Sequence, residues 1–146
     1  MAAAPDRGSV EHRLVTMRRS VGQLDLLGPV DRARLDRDPA TGLVVERILA
    51  LLVDLAFAIN RHVSAALLGT VPDGYAAGFA AAGRAGLIDV ELAAALAPPD
   101  GPHHVLVQLH LDAEPDDVAA IVAAALIGYR EYVRQVSAWA AVPAAD

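Results

Sequence analysis

The sequence predicts an all-α fold, and three observations predict it. Hydrophobic residues make up 55% of the 146-residue chain but aromatics only 4%, so the core must be built from Ala, Leu, Val and Ile. Ala has the highest intrinsic helix propensity, and an Ala-rich, aromatic-poor interior suits closely packed helices. Apolar residues also recur at spacings of three and four, the period of a helix face. Finally, no stretch alternates as a strand does; Val105-Leu106-Val107 is the one β-branched cluster, and it is short. The length fits one domain with a real core. We expect an antiparallel bundle of about five to six helices over residues 10–140, with flexible tails at 1–9 and 141–146.

The first helix is expected over Glu11–Leu27. Val10, Leu14, Met17, Val21 and Leu24 form one stripe, and Gly28-Pro29 stops it. Asp31–Asp38 alternates acids with arginines and reads as a solvated connector. Pro39 and Gly42 mark a turn. A long helix follows, roughly Leu43–Leu68. Val45, Ile48, Leu52, Leu55 and Ile59 make one seam of it; Val44, Leu51 and Ala58 make a second. A helix apolar on two faces is central, or meets a partner as well as its own core. That pattern points to a homodimer.

Gly69 ends the long helix. Asp73 is expected to cap a short helix through Arg84, closed by Gly86, and Asp89 to cap another over Val90–Leu96. Pro98-Pro99 break the chain. Asp100 then Pro102 reads as a cap with proline near the first helical position, opening a segment to about Leu111. Pro115 opens the last helix in the same way. Val118, Val122, Ala125, Tyr129, Val133 and Val136 line one face of it to about Ala140.

Composition narrows the function classes. With no cysteine, disulfide frameworks, Cys-based zinc sites and thiol catalysis are excluded. The net charge is −6, and all twelve cations are Arg, a bias that a GC-rich coding sequence explains. An acidic domain has no general affinity for phosphate backbones, so any nucleic-acid contact must be local. The apolar run Ile48–Ile59 is interrupted by Asp54 and falls short of the roughly 20 residues a membrane span needs. Residues 1–8 lack the apolar core of a signal peptide. No membrane association and a cytoplasmic address are therefore expected, and no cofactor. There is no internal repeat. Gly74, Gly78 and Gly83 do not follow a strand and do not have dinucleotide-fingerprint spacing, so close helix packing is their reading.

His103, His104 and His110 stand with Gln108 in an otherwise apolar segment, Gly101–Asp112. On a helix His103 and His110 share a face but lie about 10 Å apart, and His103 and His104 point about 100° apart, so none of these pairs suits one metal ion. Catalysis is the sharper reading. Histidine transfers protons near neutral pH and, when charged, steadies a phosphate. RNA cleavage needs both: activation of a hydroxyl and stabilisation of a negative phosphorane. The plainer reading is polar residues on a partly exposed helix. Asp54 and Asn60 are polar intruders on the long helix, Asp54 facing solvent or pairing with Arg61 or Arg47.

Several stretches in order resemble the HepT-like proteins of the HEPN superfamily. Val45-Glu46-Arg47-Ile48-Leu49, with Asp54, Ile59 and His62, resembles that family's long central helix. Val71-Pro72-Asp73-Gly74-Tyr75, then Phe79, Ala85-Gly86-Leu87-Ile88 and Glu91-Leu92-Ala93, resembles its middle helices. Gly101–Asp112 resembles its signature segment, and the last helix, with Tyr129-Arg130 near its middle, also fits. The resemblance spans about residues 10–140. It implies a HEPN-like helical bundle that dimerises. It also implies the toxin of a two-gene toxin–antitoxin pair, a ribonuclease that needs no metal. An MntA-type nucleotidyltransferase would neutralise that toxin by transferring AMP to a motif tyrosine.

The family motif is Arg-x4-His-x-Tyr, and the matching positions here hold His103, Gln108 and His110. His103 supplies positive charge only when protonated and with a shorter reach than Arg. Gln108 hydrogen-bonds but cannot act as a base. His110 cannot accept AMP as tyrosine does. His104 stands where Asn is common and is the candidate RNA contact. Two readings follow: a toxin ribonuclease with a rewritten site, or a catalytically inactive module that binds or dimerises. A third is an unrelated small helical enzyme that uses the histidines with a metal.

Overall fold

A computed structural model describes residues 4–97 and 115–142. Those residues form six helices and no strand: α1 (Arg7–Leu27), α2 (Arg32–Arg37), α3 (Pro39–Leu68), α4 (Tyr75–Arg84), α5 (Val90–Leu96) and α6 (Pro115–Ala141). The all-α expectation holds. The segment expected from Asp100 to about Leu111 lies outside the described residues.

Helix α1 begins at Arg7, four residues before the expected Glu11, because Asp6 is its N-cap. The Asp6 carboxylate accepts from the Ser9 amide at 3.1 Å, satisfying one of the free donors of the first turn. The stripe Val10, Leu14, Met17, Val21 and Leu24 is buried as read from its spacing. Gly28 ends the helix at φ 71.

The charged stretch after it is not a connector but the helix α2. Asp31 caps it through the Arg34 amide at 2.8 Å, and Leu35 anchors it in the core. The Arg34 guanidinium folds back onto the Leu27 and Pro29 carbonyls. Helix α3 likewise starts at Pro39, not Leu43. Proline in a first turn forfeits no helical hydrogen bond, so Pro39 opens the helix rather than preceding it. Thr41 Oγ1 donates to the Asp38 carboxylate at 2.8 Å across that turn.

Helix α4 starts at Tyr75 behind Gly74 rather than at an Asp73 cap. Its end is a Schellman turn. Gly86, at φ 80, donates to the Gly83 carbonyl at 3.2 Å, and Leu87 donates to the Ala82 carbonyl at 3.0 Å. Asp89 caps α5 through the Leu92 amide at 2.7 Å, as expected. Close packing accounts for two of the three glycines: a Cβ on Gly78 would meet Phe57 at 3.4 Å, and one on Gly83 would meet Ala93 at 3.1 Å.

The long helices run antiparallel about α1. Arg7, at its start, donates to the Trp139 and Ala140 carbonyls at 2.9 and 3.1 Å, while Asp25, near its end, pairs with Arg130 at 3.3 Å. The Arg7 guanidinium also lies 4.5 Å from the centroid of the Trp139 ring. It thus serves the last carbonyls of α6, where a cation opposes the helix dipole. On the other flank, the Asp6 amide donates to His62 Nε2, near the end of α3, at 2.7 Å.

Candidate functional site

His103, His104, Gln108 and His110 lie outside the described residues, so the geometry that can be built is that of the polar residues on α3, α4 and α6. Two polar groupings stand there, one buried and one open.

The buried grouping joins α6 to α3. Tyr129 and Tyr132, on the apolar face of α6, are fully buried, as are Asn60 and Ser64 one turn apart on α3. The Tyr132 hydroxyl donates to Asn60 Oδ1 at 2.6 Å and lies 3.3 Å from the Ala56 carbonyl. Asn60 Nδ2, Ser64 Oγ and the Tyr129 hydroxyl have no hydrogen-bond partner among the described residues. Their burial is costly, because each gives up water without a replacement. Burial, then the field of Tyr129, pushes the Tyr132 hydroxyl well above the usual tyrosine range. Tyr129 is raised by burial first and then by its negative surroundings at Tyr75 and Asp54. The three rings of Phe79, Tyr132 and Tyr129 meet edge to face in sequence, at centroid separations of 6.0 and 6.4 Å.

The open grouping joins α3 to the start of α4. Asp54 is exposed, and its described partner is the Tyr75 hydroxyl at 2.9 Å, rather than Arg47 or Arg61. Tyr75 packs edge to face on Phe57 at 5.1 Å. The hydrogen bond to Asp54 raises the Tyr75 hydroxyl above its usual value, with smaller contributions from burial and the carboxylate charge. Asn60 is therefore a core residue, Asp54 a surface one, and the two do not share a site.

Sequence reading missed the Asp54–Tyr75 contact and the depth of Tyr132. The Tyr132 signal was present: it lies three residues after Tyr129 and so shares its face. The Asp54–Tyr75 contact had no local signal, because a turn separates the two helices. Among the described residues no cluster of three or more His, Asp or Glu side chains is placed to hold a metal ion. No described helix is long and apolar enough to cross a membrane.

These features define a small all-helical protein with a HEPN-like bundle architecture and a polar seam between two of its long helices. No protein-family model matches the chain. Over 97 residues it is 31% identical to the tRNA nuclease HepT of Aphanizomenon flos-aquae (strain 2012/KM1/D3). The match covers 66% of this chain and 66% of that protein. This similarity supports a HepT-like relationship.

Proposed function

We propose that this chain is the toxin of a two-gene toxin–antitoxin pair, a HepT-like ribonuclease whose active segment has been rewritten. The observation that carries the reading is the 31% identity, over 97 residues, to a tRNA nuclease. In this reading the protein is a cytoplasmic homodimer. His110 takes the proton from an RNA 2′-hydroxyl, whose oxygen bonds to the adjacent phosphorus as the 5′-oxygen leaves and takes a proton from water. Protonated His103 faces the negative phosphorane, Gln108 hydrogen-bonds to the phosphate, and His104 contacts the RNA. No metal enters the step.

The antitoxin is an MntA-type nucleotidyltransferase. The tyrosine it would modify in its relatives' motif is His110 here. Tyr129 and Tyr132 are fully buried, which supports Tyr75 as the acceptor that remains.

The test is cleavage of bulk tRNA by the purified chain, with and without a chelator, beside His103→Ala/His110→Ala. Cleavage that survives the chelator and is lost in the double variant is the expected result. Equal cleavage by parent and variant would remove the histidines from the mechanism. A chelator-sensitive activity restored by zinc would favour the metal-dependent reading instead. The replacement of Arg, His and Tyr together at the motif positions favours the second reading, an inactive module that binds or dimerises. Absence of cleavage by the folded parent would decide for it.

A further inference from the structure

We propose that the start of α1 is an acid-sensitive latch: protonation of His62 on α3 frees the Asp6 amide and draws the Asp6 carboxylate off the Ser9 amide. Asp6 makes two bonds there. Its carboxylate accepts from the Ser9 amide at 3.1 Å, and its own amide donates to His62 Nε2 at 2.7 Å. In a capping box both bonds are made within one helix. The N-cap side chain serves the third helical amide, and a Glu or Gln at that third position reaches back to the N-cap amide. Here the third position is Ser9, whose hydroxyl accepts instead from the Arg13 guanidinium. The reciprocal bond comes from another helix, 56 residues along the chain. His62 thus completes the cap of α1 where a local Glu would.

That exchange changes the pH at which the cap fails. A glutamate is still an acceptor at about pH 5. An imidazole accepts only through an unprotonated ring nitrogen, and histidine changes charge between about pH 5 and 8. The bond to Asp6 fixes the proton of the neutral ring on Nδ1. A second proton goes to Nε2, where it meets the Asp6 N–H, donor against donor. The contact is therefore complete while the ring is neutral and is lost as pH falls. The imidazolium then stands beside the positive end of α1. Other charges around it are committed, remote or of the same sign. Arg7 reaches the Trp139 and Ala140 carbonyls, Arg13 the Ser9 hydroxyl, and Glu11 pairs with Arg18. His12 on α1, Arg61 on α3 and Arg84 at the end of α4 are exposed, and none supplies a negative charge. Helix α2 packs at the other end of α3, and Gln135–Ala141 of α6 carries no ionised side chain. The Asp6 carboxylate is the counter-ion at hand, and engaging it empties the cap.

The test is a titration of the full chain from about pH 8 to 5, above the range of ordinary carboxylates, followed by NMR of the Asp6 and Ser9 amides and the His62 ring nitrogens. The expected result is a single midpoint shared by both amides and the ring. Solvent exchange of the Ser9 amide, relative to its intrinsic rate, should rise about fivefold, the size of a lost N-cap. His62→Gln keeps a neutral acceptor at every pH and should hold both amides in place throughout. His62→Leu should free the Asp6 amide at every pH and leave Ser9 capped, since no imidazolium draws the carboxylate away. An Asp6 amide that stays fixed while the His62 ring titrates would overturn the latch, as would a transition that persists in His62→Gln. A Ser9 amide that remains capped while Asp6 is released would overturn the transfer of the carboxylate and with it the uncapping of α1.

Discussion

The hydroxyl of Tyr132 on α6 donates to Asn60 Oδ1 on α3 at 2.6 Å, with both residues fully buried. The two helices are joined there by a polar contact through an apolar interior. Tyr132→Phe would leave the Asn60 carbonyl oxygen without this partner, beside an amide nitrogen that has none among the described residues. Losing one side of a buried hydrogen bond costs about 1–3 kcal/mol. Urea unfolding should show that loss, and Tyr132→Phe/Asn60→Leu should recover part of it. A Tyr132→Phe variant as stable as the parent would mean that the bond contributes nothing.

Tyr129 is the opposite case. Its hydroxyl is buried without a partner among the described residues, so Tyr129→Phe removes a polar atom and no hydrogen bond made by them. The expected change in urea stability is zero or a gain of about 1 kcal/mol. Destabilisation beyond that size would reveal a partner for the hydroxyl in solution.

The three tyrosines set the alkaline limit of the fold. Each is raised in the folded state: Tyr75 first by its bond to Asp54, Tyr129 and Tyr132 first by burial. A folded-state value above the unfolded one means that the native chain holds protons the unfolded chain would release. The stabilisation is complete below the ordinary tyrosine value of about 10 and is lost as pH rises beyond it. Absorbance at 295 nm, followed with circular dichroism, should show two phenols ionising only as the helices melt. Asp54→Asn should lower the titration of the remaining one. Three phenolates in an intact helical fold would contradict the buried placement.

Gly86 closes α4 in a left-handed turn at φ 80, with open space where a side chain would begin. Gly86→Ala therefore tests backbone strain alone, with an expected cost of about 1–2 kcal/mol in thermal or urea unfolding. An unchanged midpoint would mean that the turn relaxes to another geometry.

Much of this fold was legible because burial leaves a period in the sequence. The stripe of α1, and that of α6 from Val122 onward, appear in the core, and the Asp89 cap and Gly86 stop fall where their chemistry puts them. Helix α2 was hidden because one buried side chain, Leu35, cannot make a period among alternating charges. Pro39 was ambiguous because proline both breaks helices and begins them. The candidate site was less legible. Asp54 and Tyr75 meet through a turn that no local pattern encodes, and Asn60 looked like Asp54 until their burial separated them. The histidine segment itself lies outside the described residues.

Alanine-rich helices have a particular weakness: their smooth sides offer few knobs to stop one rod sliding along another. A slip of a single turn moves a residue about 5.4 Å. Arg7 holds the final carbonyls of α6 while its guanidinium lies on Trp139, and the neighbouring Asp6 amide is tied to His62 of α3. One helical end thereby indexes both of the other long rods. A one-turn shift of α6 would break the Arg7 contacts and one of α3 the Asp6–His62 bond, so the beginning of α1 works as the detent that fixes the bundle lengthwise.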